Sequence, residues 1–360
     1  MSSADLVIKE VKVRAVDAPL TRPIITSVGT IPSAPLVLID VLTDQDIVGH
    51  SYIFGYSPIT LRPLVELFSN LAEMLCGKTI SPVERMREFD CTFKLLGRQG
   101  LLGMAISGLD MAFWDALGRA QDLSVVRLLG GEEKPIPSYA SYGVVDPKRD
   151  AADLESSLEQ GFTAIKIKIG GGDLAQDLRT VAGVREIVGS DTHLMVDYNQ
   201  SLTVPEAQRR IDRLAEYELL WVEEPVRAED LSGHATVRGA SRVAIQTGEN
   251  WWFPEDVARA IAAKASDFAM LDIMKIGGVT GWLRAAGQCE GASLPVSNHI
   301  FVEASAHVLS LTPTAHFLEY LDIASAILEE PLEIERGALR PRGPGLGLRW
   351  KEKAIRQYVL

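Results

Sequence analysis

The sequence predicts an α/β protein in which eight strand–helix units close a barrel behind a smaller N-terminal α+β unit. Beyond Gly130 and Gly131, short apolar strands alternate with amphipathic helices. The repeat is about 25 residues, the length of one strand, one helix and two short loops. Before those glycines the texture is different, with alternating strands and then helical stripes. The length of 360 residues also exceeds one barrel of about 200 to 250 residues by the size of a companion unit.

In chain order, residues 6–16 alternate apolar and polar side chains, and 36–42 and 50–54 continue as strands, so an antiparallel sheet opens the chain. Residues 61–76, 82–96 and 101–117 place apolar side chains at three- and four-residue intervals, as helices with one buried face do. Together they make an α+β unit over 1–130. The barrel strands are expected at 136–141, 163–169, 194–199, 219–224, 243–248, 268–274, 294–299 and 316–321, and the barrel domain over 131–328. The final segment, 329–360, returns to pack on the first unit. Its GPGLG at 343–347 has no following Lys-Ser/Thr and no helix start, so it reads as a turn and not a phosphate loop; Gly277 and Gly278 read likewise.

Composition limits the function classes. Hydrophobic residues make up 47% and charged residues 23%, ordinary globular usage, and the net charge is −12. Nucleic acid and anionic membranes call for basic surface, so neither is an expected partner. No apolar run of about 18 residues free of charge marks a membrane span, and the first residues lack a signal-peptide pattern. Cys76, Cys91 and Cys289 are scattered without metal or disulfide spacing, and a cytoplasmic location is expected.

Polar residues fall at the ends of the predicted strands: Lys166 and Lys168, Asp197, Glu223, Glu249, Asp272, His299 and Glu319. Asp197, Glu223 and Glu249 are separated by two steps of 26 residues, one repeat each, which sets three carboxylates at one height on consecutive strands. That rim is where barrel enzymes hold their chemistry. Three converging carboxylates repel and raise one another's pKa unless a cation neutralises them. All-oxygen ligation suits Mg²⁺, with Mn²⁺ or Ca²⁺ as substitutes. Glu224, Glu329 and Glu330 lack this phase and are expected to be solvated or ion-paired. His307 and His316 are expected to be structural.

The motifs KIKIG, VDYNQ, WVEEP, GEN, MLDIMKIGG and SNH, in this order, resemble the enolase superfamily, specifically its mandelate racemase subgroup. PIITSVGT, APLVLIDV, GLDMAFWDALG, KIGGVTGW, TPTAH and PGLG extend the resemblance over nearly the whole chain. It implies a modified (β/α)₇β TIM-type barrel with an N-terminal α+β capping domain, one Mg²⁺, removal of the proton α to a carboxylate, and a homo-oligomer. It assigns Asp197, Glu223 and Glu249 as metal ligands, Lys168 as one base, His299 with Asp272 as the other, and Glu319 as the acid facing the enolate. Ser141, Lys166 and Asn199 fall where the substrate carboxylate, the metal-side oxygens and the substrate hydroxyl are contacted. The related muconate lactonizing subgroup carries a lysine where this chain has Asp272 and lacks the His299 partner.

Side chains alternate along a strand, so Lys166 and Lys168 share a face, and like charge with a nearby metal is expected to lower the Lys168 pKa. A buried Glu319 among carboxylates is expected to stay protonated. Ile24, Ile25, Val28, Phe54, Tyr56, Ile300 and Leu321 fall where the resemblance places an apolar pocket, and 23–30 reads as a lid. Ile25 and Ser27 depart from the residues found in the mandelate enzymes. The expected activity is racemisation of mandelate or a similar 2-hydroxy acid, a small-molecule carboxylate, by two bases. The same bases suit dehydration of an acid sugar, and a catalytically silent metal-binding protein is the third reading.

Overall fold

The computed structural model describes residues 5–26 and 29–360. The chain opens with three antiparallel strands, β1 (Ile8–Thr26), β2 (Gly29–Thr43) and β3 (Val48–Phe54), in the order β1-β2-β3. The first is longer than its alternating segment because the β1–β2 pair runs on as a hairpin arm. Its register shifts between Pro19 and Ile24, where two prolines, Pro19 and Pro23, offer no N–H to the ladder. Helices α1 (Leu61–Leu75), α2 (Pro82–Thr92), α3 (Leu101–Ala120) and the single turn α4 (Val125–Leu128) follow. The second helix stops short of the expected 96, and Leu95 and Leu96 lie exposed in the loop beyond it. Apolar spacing alone extended that helix past its last buried turn. The third is long and apolar enough to cross a membrane by length and composition, but 83% of that stretch is buried inside the protein.

Eight parallel strands form the barrel: β4 (Ile136–Val144), β5 (Ala164–Lys168), β6 (His193–Asp197), β7 (Trp221–Glu223), β8 (Ala244–Thr247), β9 (Phe268–Asp272), β10 (Val296–His299) and β11 (Ala315–Tyr320). They pair in sequence, and β11 pairs with β4 to close the ring. Seven helices alternate with them: α5 (Ala151–Glu159), α6 (Leu174–Val188), α7 (Val204–Leu214), α8 (Leu231–Ala240), α9 (Phe253–Ala263), α10 (Gly278–Gly291) and α11 (Val302–Leu311). The eighth strand is followed by a short 3₁₀ turn, so the barrel is of the (β/α)₇β form. A short strand, β12 (Ala338–Leu339), adds antiparallel to β4, and α12 (Glu352–Tyr358) ends the chain against β1.

Two-residue alternation sorts the barrel interior into layers. Tyr139, Met195 and Trp221 fill the lower layer, with the Tyr139 and Trp221 rings 5.6 Å apart. Two residues further along the same strands come Ser141, Asp197 and Glu223, so the apolar plug stands directly beneath a polar rim. The cap is tied over that rim at several places. Thr280 of α10 donates its backbone N–H and hydroxyl to Asp110 of α3, Tyr52 donates to Glu303 of α11 at 2.6 Å, and Arg22 of β1 pairs with Asp150 and Asp153 at 2.9 and 2.7 Å. Gly277 and Gly278 have positive φ, and a Cβ on Gly278 would meet Asp110 at 2.5 Å, so the turn before α10 admits only glycine there. GPGLG is a turn too: Leu346 donates its N–H to Asp115 of α3.

Candidate active site

Strand register brings the predicted residues together. Lys168 is registered with Asp197, Asp197 with Glu223, Ser141 with Lys166, and Asp272 with His299. Glu249 departs from the expected picture. The residue opposite Glu223 is Gln246, and Glu249 lies beyond the end of β8. Its carboxylate returns to the level of the other two through Gly248, whose φ of 134° and close approach to the Met270 carbonyl, 2.7 Å from a would-be Cβ, exclude a side chain. Phase therefore found the right residue through a turn that phase does not describe.

Asp197, Glu223 and Glu249 are buried and offer carboxylate oxygens that all lie within 4.8 Å of one another. Glu249 Oε2 is buried with no hydrogen-bond partner, although His299 Nε2 stands 3.5 Å away. Hard oxygen donors converging on one point, one of them unsatisfied, fit a divalent cation. The pKa values split: burial pushes Glu223 up to about 7 despite Lys166, whereas Glu249 is held down to about 2, because His299, Lys168 and Lys275 outweigh its burial. The rise expected of converging carboxylates without a cation holds for Glu223, while the cationic side chains around Glu249 reverse it there.

Lys166 donates to Glu223 at 2.5 Å and to Glu319 at 2.8 Å, and Lys168 to Asp197. Burial would lower the Lys168 pKa, but with no metal ion beside it the Asp197 charge prevails and raises it. A cation on the same Asp197 oxygen competes with that ion pair. Glu319 also departs from expectation. Burial favours its neutral form, yet Lys166 and His299 bring it below the ordinary carboxylate range. It accepts from Ser141 at 2.7 Å and from the Ile300 N–H at 2.9 Å. His299 Nδ1 meets Asp272 Oδ2 at 2.7 Å, and its pKa is raised: burial lowers it, but Glu249 and Asp272 outweigh that.

A cavity of about 250 Å³ lies over this rim. Lys168, Asn199, Glu249, His299 and Glu319 border it below, and Ile24, Phe54 and Tyr56 from the cap, with Ile300 and Leu321, border it above and beside. Ser141 and Lys166 stand behind Glu319, and Asp272 behind His299. Ile25 does not reach this cavity. It borders a separate hollow with Val144 and Val145, because neighbours on a strand point opposite ways and Ile24 takes the inner side. Val28 and Ser27 lie outside the described residues. Pro23–Thr26 and Gly29–Thr30 belong to the hairpin strands.

Sequence reasoning missed Thr26, Ile31, Gln200, Asn250, Lys275 and Ile323 on the cavity wall. Adjacency was the available signal for Gln200 and Asn250, each one residue beyond an assigned position. Glu224 is also not as expected. It is buried, accepts from Asn250 Nδ2 with both oxygens at 2.9 Å, and is pushed well above the carboxylate range by burial. Its φ of 38° turns it in under Asn250, which no pattern in WVEEP signals. Glu329 and Glu330 are exposed, and His307 and His316, both lowered to about 4 by burial, are neutral packing groups. Larger hollows of about 750 and 490 Å³ contain none of the ligand or base candidates.

Comparison with known proteins decides the lineage. The family description "Mandelate racemase / muconate lactonizing enzyme, N-terminal domain" matches residues 8–130, and "Enolase C-terminal domain-like" matches 149–354. The chain belongs to the enolase superfamily, in its mandelate racemase subgroup. Among solved members of that superfamily, an enolase from Bradyrhizobium, crystallised with magnesium and mandelic acid, is 55% identical over 99% of both chains, with a TM-score of 0.98. The 3,6-anhydro-α-L-galactonate cycloisomerase of Streptomyces coelicolor is 30% identical over 83% of this chain and 84% of its own. The L-talarate/galactarate dehydratase of Salmonella typhimurium is 30% identical over 72% of this chain and 67% of its own. The superfamily relatives thus include both isomerases and dehydratases.

Proposed function

We propose that this chain is a divalent-metal-dependent racemase of a 2-hydroxy carboxylate with an aryl or similarly apolar substituent. The observation that carries it is the placement of Lys168 and His299 on one small cavity under an apolar roof. Their strands, β5 and β10, stand three places apart by the shorter way round a ring of eight, so the two bases face the cavity from different sides. The likeness to the mandelic acid complex supports the substrate class.

Asp197, Glu223 and Glu249 would hold the ion, Mg²⁺ or in its place Mn²⁺. Bound there, it supplies positive charge against the negative charge that builds on the substrate carboxylate as the α-proton leaves. Asn199 is held by Asp197, and its Oδ1 is buried without a partner, free to accept from the substrate hydroxyl. Ser141 and Lys166 fix Glu319, which faces the substrate carboxylate. A like charge against it pushes its pKa up and readies it to donate a proton to the enolate. Because Asp272 Oδ2 accepts a hydrogen bond from the Nδ1–H of His299, Nε2 is the basic nitrogen toward the cavity. Lys168 removes the proton from one enantiomer and His299 from the other, and the protonated partner returns it on the opposite face. Tyr56, Phe54 and the hairpin residue Ile24 keep water from the anion.

Incubation of mandelate and other 2-hydroxy acids in D₂O with Mg²⁺, followed by NMR, tests the reading. Deuterium at the α-carbon with inversion is expected. Loss of water from a polyhydroxy acid instead supports dehydration, the reading favoured by the polar lining residues Thr26, Gln200, Asn250 and Lys275 and by the dehydratase relatives. No exchange with any acid sinks both.

A further inference from the structure

Lys275 is a buried ammonium on the cavity wall with no carboxylate in salt-bridge range among the described residues. Its Nζ lies 5.0 Å from the centre of the Tyr56 ring and donates at 2.6 Å to Asn250 Oδ1. An ammonium has three donors and no acceptor. It therefore fixes which end of the Asn250 amide faces it, and the Nδ2 end must face the other way. There it donates to both oxygens of Glu224 at 2.9 Å and to Glu249 Oε1 at 3.2 Å. A flipped amide would set its oxygen against two carboxylates.

The same short turn also governs the base. Asp272 Oδ1 accepts the backbone N–H groups of Met274 at 2.7 Å and Lys275 at 3.2 Å, while its Oδ2 meets His299 at 2.7 Å. His299 Nε2 in turn lies 3.5 Å from Glu249 Oε2. The contacts form a ring: His299, Asp272, the turn, Lys275, Asn250, Glu249 and back to His299.

We infer that Lys275 is a positioning residue, which through the Asn250 amide holds Glu249 in the geometry a metal ion requires and sets its place relative to His299. This rests on the reading of Glu249 as a metal ligand. Loss of a group that orients a metal ligand weakens binding by about 10- to 100-fold. Titration of the metal-free protein with Mn²⁺, followed by electron paramagnetic resonance, reads the effect without turnover. Lys275→Met is expected to raise the Mn²⁺ Kd by about 10- to 100-fold, with the Tm of the metal-free protein little changed. Asn250→Ala is expected to do the same, and the double variant no more than either alone, since both break one path. Lys275→Gln, which keeps a donor but can also present an oxygen, falls between them and serves if Lys275→Met does not fold. Wild-type protein that binds Mn²⁺ beside Lys275 variants that bind it equally well overturns the inference alone. So do fully additive effects. Wild-type protein that does not bind Mn²⁺ overturns the metal reading first and this inference with it.

Discussion

The two sides of the cavity are built on different plans. Lys168 is paired directly with Asp197, a carboxylate of the metal cluster and its register partner on the adjacent strand. His299 is paired with Asp272, which is outside the cluster and is itself tied down by two backbone N–H groups. The lysine side therefore shares its charge partner with the metal, so filling the site alters it. The histidine side has in Asp272 a hydrogen-bonded partner outside the cluster, which sets its tautomer before any metal or substrate arrives, while Glu249 of the cluster stands 3.5 Å from its other nitrogen. A two-base site can thus be chemically symmetric and structurally unsymmetric.

Four measurements would break or sharpen that contrast, beginning with the largest effect. Stripping the protein with EDTA is expected to abolish α-deuteration of both enantiomers, by on the order of 10³-fold or more, and added Mg²⁺ to restore it. Exchange that survives chelation breaks the shared-metal half of the argument. Lys168→Ala and His299→Asn should each remove about 10²- to 10⁴-fold of the exchange of one enantiomer and leave the other exchanging, in opposite senses. Equal losses from both enantiomers in both variants contradict the two-sided plan.

Asp272→Asn should act on the His299 direction alone, by about 10²-fold. It carries a pH signature. His299 is basic only when neutral, and its pKa is raised, against its burial, by Glu249 and Asp272. In wild type the His299 direction therefore weakens as pH falls through that raised pKa. Without the Asp272 charge the limb should move to lower pH, and a pH–rate profile in which it stays or moves up refutes Asp272 as that partner. Smallest, Leu321→Ser should raise KM for an aryl acid by roughly tenfold, about 1.4 kcal/mol, equally for both enantiomers. A polyhydroxy acid that gains instead would show that the wall discriminates as a polar surface.

What could be read from the chain divides along the same line as the fold's regularity. Asp197, Glu223, Lys166, Lys168, Asp272, His299 and Glu319 stand on strands, where two-residue alternation and a constant repeat carry a side chain's position into its number. Glu249 shares the spacing but reaches its place through Gly248, so the residue was legible and the route was not. Glu224 and Lys275 sit in turns, where one positive φ or one donated N–H decides whether a charge is solvated or enclosed. The pKa direction of Glu319 escaped for a further reason: it follows from which opposite charge is nearest, and only packing chooses among neighbours of equal claim. Ile24 and Ile25 show the limit for the pocket, since the hairpin's register decides which of two adjacent isoleucines meets the substrate.

Residues 359 and 360 lie on the first strand. Val359 bridges to Val16, the Leu360 N–H donates to the Ala15 carbonyl, and the Trp350 indole donates to Asp40 of β2 at 2.6 Å. Contacts this remote along the chain close very long loops, and closing such loops slows folding. The sheet whose hairpin roofs the cavity thus waits for residues 350–360 to complete it. A nascent chain can assemble its barrel strands one after another, but the cap sheet gains its contacts with Trp350, Val359 and Leu360 only once that distant segment has been made.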